Sequence, residues 1–323
     1  MTLRTCRICD TPNNAETYLA REKMFGFGDE FTYFVCSRCC CLQIEKPDID
    51  VNRFYPEKYY SFSAAASKSG AKGWLTRRRD ASAVFSKGVV GKLLLALKPN
   101  APLQSLSHVQ LHAETRIADV GCGAGHLLHA LRSLGFTRLT GIDPNIQEDI
   151  KIGAHLHIRK AYLEQVEDEF DLIMFHHSLE HIPDQIAALS AARARLAPNG
   201  VCLVRIPLVS SYAWRTYGTD WVQLDAPRHL FLHSVQSMGI LATRTGFNID
   251  QVIHDSSEFQ FWGSEALSRG IALFDMTTGE VNPAAEELSH KKRRVMRNQA
   301  QLLNRAHDGD QAIFLLRPSL ASL

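Results

Sequence analysis

The sequence predicts a doubly wound α/β domain preceded by a small cysteine-rich lobe. Three observations predict it. Ile117, Ala118 and Val120 make a short apolar run, a glycine turn follows, and Leu127, Leu128, Leu131 and Leu134 then recur at helical spacing. Further apolar runs at 138–142, 170–175 and 201–207 alternate with helical segments, the pattern of a mainly parallel sheet. Two C-x-x-C pairs, Cys6/Cys9 and Cys36/Cys39, lie before any of this.

Composition excludes little but points one way. The chain has 323 residues, enough for one or two domains, with 45% hydrophobic and 22% charged residues, as in ordinary globular proteins. A net charge of +2 gives no reason to expect nucleic acid or an acidic membrane surface as partner. The N-terminus does not read as a signal peptide. The most apolar short run, Val89 to Leu97, is interrupted by Lys92 and is too short to span a bilayer. The expected location is therefore the cytoplasm. Eight cysteines suit that compartment if several bind metal, and a disulfide framework is not expected there.

The lobe occupies residues 1–50. Between its two cysteine pairs, Phe25, Phe27, Phe31, Tyr33 and Phe34 interleave with polar residues as in short strands. Four thiolates give closed tetrahedral zinc, the structural form, so Cys6, Cys9, Cys36 and Cys39 are the expected ligands of a zinc-ribbon-like lobe. Cys40 stands beside Cys39 and leaves the fourth ligand open between them. Free buried thiols are the alternative. Residues 51–110 read as a linker and helical segment. Tyr59 and Tyr60 are candidate ligand contacts or interlobe packing, 61–73 is rich in Ser, Ala, Gly and Lys, and Trp74 to Leu97 has helical character. Arg77, Arg78 and Arg79 there read as a solvated face.

Residues 111–323 form the main domain. Its organising stretch is Asp119-Val120-Gly121-Cys122-Gly123-Ala124-Gly125-His126. Glycines let a backbone approach a ligand, and the following helix N-terminus offers free N–H groups. The strand 138–142 ends at Asp143, and an acid there suits the two hydroxyls of a ribose. A dinucleotide fingerprint is G-x-G-x-x-G, and His126 stands where its third glycine would be. This G-x-G-x-G loop, with Asp119 two residues before it, resembles motif I of class I S-adenosylmethionine-dependent methyltransferases. Phe170 to Phe175 is similar to that family's fourth strand, and Leu179-Glu180-His181 matches the LEH element after it. The resemblance runs from about Thr115 to Gly246.

The resemblance implies a seven-stranded sheet of order 3-2-1-4-5-7-6 with strand 7 antiparallel. It implies S-adenosylmethionine held by Asp119, Gly121, Gly123, Gly125 and Asp143, with Tyr162 and Leu163 at the adenine and His176 beside the methionine part. His176, His177 and His181 together also raise a metal cluster. Past Asp143, a helix fits only after Pro144. Gln185 to Leu196 reads as an amphipathic helix stopped by Pro198-Asn199-Gly200, before a fifth strand at 201–207. Tyr212, Trp214, Tyr217 and Trp221 crowd the next loop, as an acceptor pocket or as packing. The element Pro227-Arg228-His229-Leu230-Phe231 resembles one in small-molecule members of the family. Strands at 247–253 and 311–316 flank a helical insert at about 262–307, whose 291–294 basic run reads as a solvated face.

The expected function is methyl transfer to a small-molecule acceptor: a sugar, sugar nucleotide or secondary metabolite, by O- or C-methylation. Family members that methylate amino groups on DNA bases carry an Asn/Asp-Pro-Pro-aromatic motif after the fourth strand, and this chain has none. The cysteine lobe followed by this domain resembles sugar-nucleotide C-methyltransferases, which carry a further C-terminal domain. His229 is the first candidate for general base and His181 the second, because imidazole titrates near neutrality. Asp225 would set the His229 tautomer, and Arg228 would hold an anionic acceptor. A nicotinamide-dependent oxidoreductase and a non-catalytic zinc module binding nucleic acid or a partner are the alternatives. The acceptor and the oligomeric state are not legible.

Overall fold

The computed structural model describes residues 4–13, 16–54 and 70–319. They form two compact units, one of Met1–Tyr60, Leu179–Ser190 and Arg205–Leu323, the other of Ser61–Ser178 and Ala191–Val204. Tyr59, Tyr60 and most of the Ser/Ala-rich stretch lie outside the described residues.

The chain opens with five short strands, β1 (Arg4–Thr5), β2 (Pro12–Asn13), β3 (Thr17–Arg21), β4 (Glu30–Val35) and β5 (Leu42–Ile44). The first two pair as a ribbon across the first cysteine turn. The helical segment is a hairpin rather than one helix: α1 (Gly70–Phe85) and α2 (Val89–Leu97), then the short α3 (Ala101–Ser105). Ser86 (φ 55°) and Gly88 (φ 87°) reverse the chain between α1 and α2. A Cβ at Gly91 would lie 2.3 Å from the Arg78 carbonyl oxygen, so glycine is what lets α2 lie this close on α1.

The main sheet begins at β6 (Arg116–Val120), followed by α4 (His126–Ser133), β7 (Arg138–Ile142), β8 (Ile150–Ile152), β9 (Leu156–Arg159) and β10 (Phe170–His176). Then come α5 (Gln185–Arg195), β11 (Leu196–Pro207), α6 (Tyr212–Tyr217), β12 (Phe231–Leu232), α7 (Val235–Arg244), β13 (Phe247–His254), α8 (Phe259–Ser268), α9 (Pro283–Arg305) and β14 (Gln311–Pro318). In the second unit the order is β11-β10-β6-β7-β9-β8; β11 runs on into the first unit, where β14 and β13 follow it. The β10–β6, β6–β7 and β7–β9 pairs are parallel, and β13–β14 is antiparallel.

The sheet thus has eight strands where the sequence suggests seven. The extra one is β8, antiparallel to β9 at the edge. No helix follows Pro144. Asp143 Oδ1 accepts the Asn145 N–H at 2.8 Å, an Asx-type turn that redirects the chain. Asp149 then accepts the Lys160 N–H at 2.8 Å and pins the hairpin. Pro198-Asn199-Gly200 does not stand outside the fifth strand either: β11 starts at Leu196, where the buried Leu196 and Ala197 hold the chain against the core.

In the first unit a second sheet has the order β12-β5-β4-β3. Three strands come from the N-terminal lobe, but β12 comes from residues 231–232. Phe231 lies opposite Gln43 and Leu232 opposite Leu42. The lobe's sheet is therefore completed by the segment that immediately follows His229.

Candidate functional site

The glycine loop sits where β6 enters α4. Gly121, Gly123 and Gly125 have φ of 75°, 52° and 75°, a region that side chains avoid. A Cβ at Gly121 would lie 2.4 Å from Ser178 Cβ, and one at Gly125 2.5 Å from Ile158 Cδ1. Two of these glycines are thus required by the protein's own packing as well as by any ligand. Asp143 Oδ2 accepts the Gly123 N–H at 2.7 Å, which brings the carboxylate and the loop together. A carboxylate has about four lone-pair sites, so Asp143 retains acceptor capacity for ribose hydroxyls, and the donor set fits a nucleoside.

Asp119 is buried below this loop. Burial first, and then the Asp143 carboxylate, push it up to about 7. Of the two expected adenine contacts, Leu163 is buried and Tyr162 is exposed. His176, at the end of β10, is half-buried.

In the first unit, Cys6, Cys9, Cys36 and Cys39 bring their sulfurs within 4.8 Å of one another. Two pairs, Cys6–Cys39 and Cys9–Cys36, are 3.6 Å apart. Zn–S bonds of about 2.3 Å in a tetrahedron imply sulfurs about 3.8 Å apart, so the quartet fits one zinc. Cys40 is exposed at φ 57° and stands outside the quartet. Gln43 Nε2 donates to Cys6 Sγ at 2.9 Å. The hydrogen bond between Cys6 and Cys39 is the largest influence on both thiols: it holds Cys6 below the usual thiol range and pushes Cys39 above it.

The second constellation of this unit surrounds His229. His229 is 5% exposed, and its Nδ1 lies 2.7 Å from the Gln223 carbonyl oxygen. A carbonyl only accepts, so Nδ1 carries the proton and Nε2 the lone pair in the neutral ring. Nε2 faces Asp225 Oδ2 at 3.8 Å and Glu180 Oε1 at 4.0 Å. The tautomer is therefore set by Gln223, not by Asp225 as the sequence suggests. His181 packs edge-on to His229 with ring centroids 4.7 Å apart, and its Nδ1 lies 2.8 Å from the Arg228 carbonyl oxygen. Burial first, and then His229, hold His181 below the usual imidazole range.

Arg228 does not serve as an open anion receptor. It is 2% exposed, and its guanidinium donates to Asp225, to Glu22 at 2.7 Å and to the Phe54 carbonyl at 2.8 Å. Glu22 in turn accepts the Phe25 and Phe27 N–H groups. The guanidinium is thus a structural clasp. Glu180, His181 and His229 each offer one ligand atom within 4.8 Å, so they could also hold a cation. The expected trio His176, His177 and His181 is not among the metal-type groups of the described residues.

The four crowded aromatics pack. Trp221 is buried and donates to Asp310 at 3.0 Å. Trp214 meets Tyr18 edge-on at 5.0 Å, and Tyr212 and Tyr217 pack on Phe261, Met296 and Ala300. Glu22 and Gln223 escaped sequence reasoning, as did the place of Glu180 beside His229. Only Glu180 carried a signal there, its place beside His181.

A mixed, mainly parallel sheet with a glycine turn after β6 and an acid after β7 defines an α/β fold of the methyltransferase type. The chain belongs to the methyltransferase domain family, the S-adenosylmethionine-dependent class, whose model matches residues 87–252. The chain is 28% identical over 156 residues to a ubiquinone biosynthesis O-methyltransferase of Bradyrhizobium diazoefficiens, covering 41% of this chain and 60% of that one. It is 32% identical over 164 residues to the protein of that name from Psychrobacter arcticus, covering 44% and 62%. The chain thus spans about three fifths of the length of these curated relatives. A solved S-adenosylmethionine-dependent methyltransferase of Mesorhizobium loti has a TM-score of 0.43 and 18% identity, covering 68% of this chain and 99% of that one. The family sets aside the nicotinamide-dependent alternative. Among the described residues, no helix is long and apolar enough to cross a membrane.

Proposed function

We propose that this chain methylates a hydroxyl of a small-molecule acceptor, with His229 as the general base. The observation that carries the reading is the Gln223–His229 hydrogen bond, which leaves the basic lone pair on Nε2. S-adenosylmethionine, when bound, supplies a methyl already activated by a positive sulfur. The protein's task is then to align the acceptor and accept its proton. His229 Nε2 accepts the hydroxyl proton, and the Asp225 and Glu180 carboxylates at 3.8 and 4.0 Å stabilise the imidazolium. His181, the more exposed ring of the pair, is the second candidate for the same role. The names of the curated relatives support oxygen over carbon as the accepting atom.

In the same reading Asp143 holds the ribose, Gly121, Gly123 and Gly125 line the cofactor, and Asp119, Tyr162, Leu163 and His176 complete its site. Cys6, Cys9, Cys36 and Cys39 hold one structural zinc. Incubation of cell extract with the enzyme and methyl-labelled cofactor, followed by mass spectrometry, names the acceptor. A labelled product whose methyl is on carbon would overturn the O-methylation reading.

A further inference from the structure

The α1–α2 hairpin has no role in the chemistry above, yet its surface is unlike the rest. Among the described residues, fourteen large hydrophobic side chains are exposed, and seven of them lie between Trp74 and Leu97. Trp74, Leu75 and Phe85 are on α1; Val89, Val90, Leu93 and Leu97 are on α2. On α2 the exposure is extreme: Val89 is 86% exposed, Leu93 65% and Leu97 73%.

These positions follow helical geometry. At about 100° per residue, Val89, Leu93, Leu97 and Val90 fall within one stripe about 100° wide. Gly91 falls on the opposite side, and that side is packed against Arg78 and Ser82 of α1. The hairpin therefore turns Gly91 inward, half-buries Leu94 and Leu95, and leaves Val89, Val90, Leu93 and Leu97 outward. Patches of this kind mark an interaction surface.

Charge says what the surface meets. The segment 70–98 carries Lys72, Arg77, Arg78, Arg79, Lys87, Lys92 and Lys98 against a single acid, Asp80. Asp80 is buried and paired with Arg79 at 2.6 Å, so it does not offset the exposed cations. Arg78 also lies 5.1 Å from the Trp74 ring centroid, which holds a cation beside an exposed indole. Exposed Leu, Val and Trp rimmed by Lys and Arg are what a helix needs to lie in an anionic lipid interface. A second copy of the same face would bring six more uncompensated cations, and like charges oppose that pairing.

We propose that the α1–α2 hairpin is a membrane-surface docking element that seats Val89, Val90, Leu93 and Leu97 in the interface of an anionic bilayer. The exposed Arg77, Arg78, Lys87, Lys92 and Lys98 engage the headgroups. The element lies in the plane of the surface, since α2 is too short to cross it. The inference does not depend on which acceptor is methylated.

Sedimentation of the full chain with vesicles tests it. Phosphatidylglycerol-containing vesicles should capture the protein and pure phosphatidylcholine vesicles should not. Added salt should release it, and Trp74 emission should shift to the blue on binding. Leu93→Glu with Leu97→Glu should abolish capture. Lys87→Ser and Lys92→Ser should each weaken it about fivefold, at about 1 kcal/mol per cation near the surface. Those two lysines are exposed, so they keep the test open if the glutamate variant misfolds. Equal capture by neutral vesicles, or capture by neither kind, would overturn the proposal. So would a lipid-free dimer that Leu93→Glu dissociates, because the face would then be a self-interface.

Discussion

Tyr33 Oη donates to the carbonyl oxygen of His229 at 2.8 Å, across 196 residues of sequence. Tyr33 is on β4 and fully buried, so this bond ties the second strand of the lobe's sheet to the candidate base. Burial also pushes the Tyr33 phenol well above its usual range, which keeps it a donor. Leu230 extends the connection, since its carbonyl accepts from Ile44 N–H and its own N–H donates to the Glu180 carbonyl. The lobe is thus built into the His229 segment as well as appended before it.

Metal removal should therefore be felt at His229. Ser234 Oγ donates to the Cys39 carbonyl at 2.6 Å, and β12 is a strand of the lobe's own sheet. Chelation should release one zinc per chain, lower the melting temperature and shift the His229 ring resonances. Cys9→Ser should do the same in part, whereas Cys40→Ser should leave metal content unchanged, because Cys40 is outside the quartet. A metal-free preparation with an unaltered cooperative melt would contradict the zinc assignment.

Arg228→Met should be among the most destabilising single changes. It strands the buried Glu22 and the half-buried Asp225 without their common cation. Breaking a buried pair from one side costs about 3–5 kcal/mol. The double variant Arg228→Met with Glu22→Gln should recover part of that loss. Chemical denaturation of the single and double variants reads it directly, and simple additivity would show that Arg228 and Glu22 are not coupled.

Asp119 should give the second unit a distinctive pH response. Its pKa rises from 3.8 to about 7 in the fold. Between those values the native state keeps a proton that the unfolded chain has lost, so stability falls as pH rises through the window. The full effect is of order 4 kcal/mol. Asp119→Asn carries no such proton and should flatten the decline. Identical pH slopes for the wild type and Asp119→Asn would remove Asp119 as the cause.

Much of this architecture was legible in the chain, and what was not has a common cause. The β6–glycine loop–α4 unit, Asp143 at the end of β7 and the four cysteines are local patterns, fixed by spacing within a few residues. Short-range pattern cannot show that Phe231-Leu232 would pair with Leu42 and Gln43. Nor can it show that Glu22 would meet Arg228 206 residues later. Arg228 read as an anion receptor because its partners are distant in sequence. Asp225 read as the group that sets the His229 tautomer because it is near in sequence, while the carbonyl that sets it belongs to Gln223, whose side chain carries no signal. The strand β8 is not legible, because the segment after Pro144 reads as helix while the Asx turn at Asp143 redirects the chain into the β8–β9 hairpin.

Asp143→Ala should weaken S-adenosylmethionine binding about 10- to 150-fold, the loss of a charge-assisted hydrogen bond of about 1.5–3 kcal/mol. The side chain also accepts from Gly123 and Asn145, so Asp143→Asn is the needed companion. Asparagine keeps one acceptor oxygen and should retain more of the loop's order than alanine does. Calorimetry with S-adenosylmethionine and its homocysteine product reads both variants. Unchanged affinity in Asp143→Ala would exclude Asp143 from the cofactor site.

His229 and His181 are distinguishable by what each variant leaves behind. A general base contributes about 10²–10⁴-fold, so His229→Ala should lose turnover by that factor while cofactor affinity holds. Its ring also fills a buried niche against His181 and anchors Gln223, so alanine will lower the melting temperature as well. His229→Gln restores most of the volume and can still donate toward the Gln223 carbonyl, but it cannot accept and carry a proton. If His229 is the base, glutamine rescues the melt and not the turnover. If His229 only packs its segment, glutamine rescues both. His181 provides the internal control, because its Nδ1 bond to the Arg228 carbonyl likewise leaves Nε2 available. His181→Gln should alter KM for the acceptor more than kcat in the first case. A wild-type rate in His229→Gln together with a lost rate in His181→Gln would transfer the base to His181.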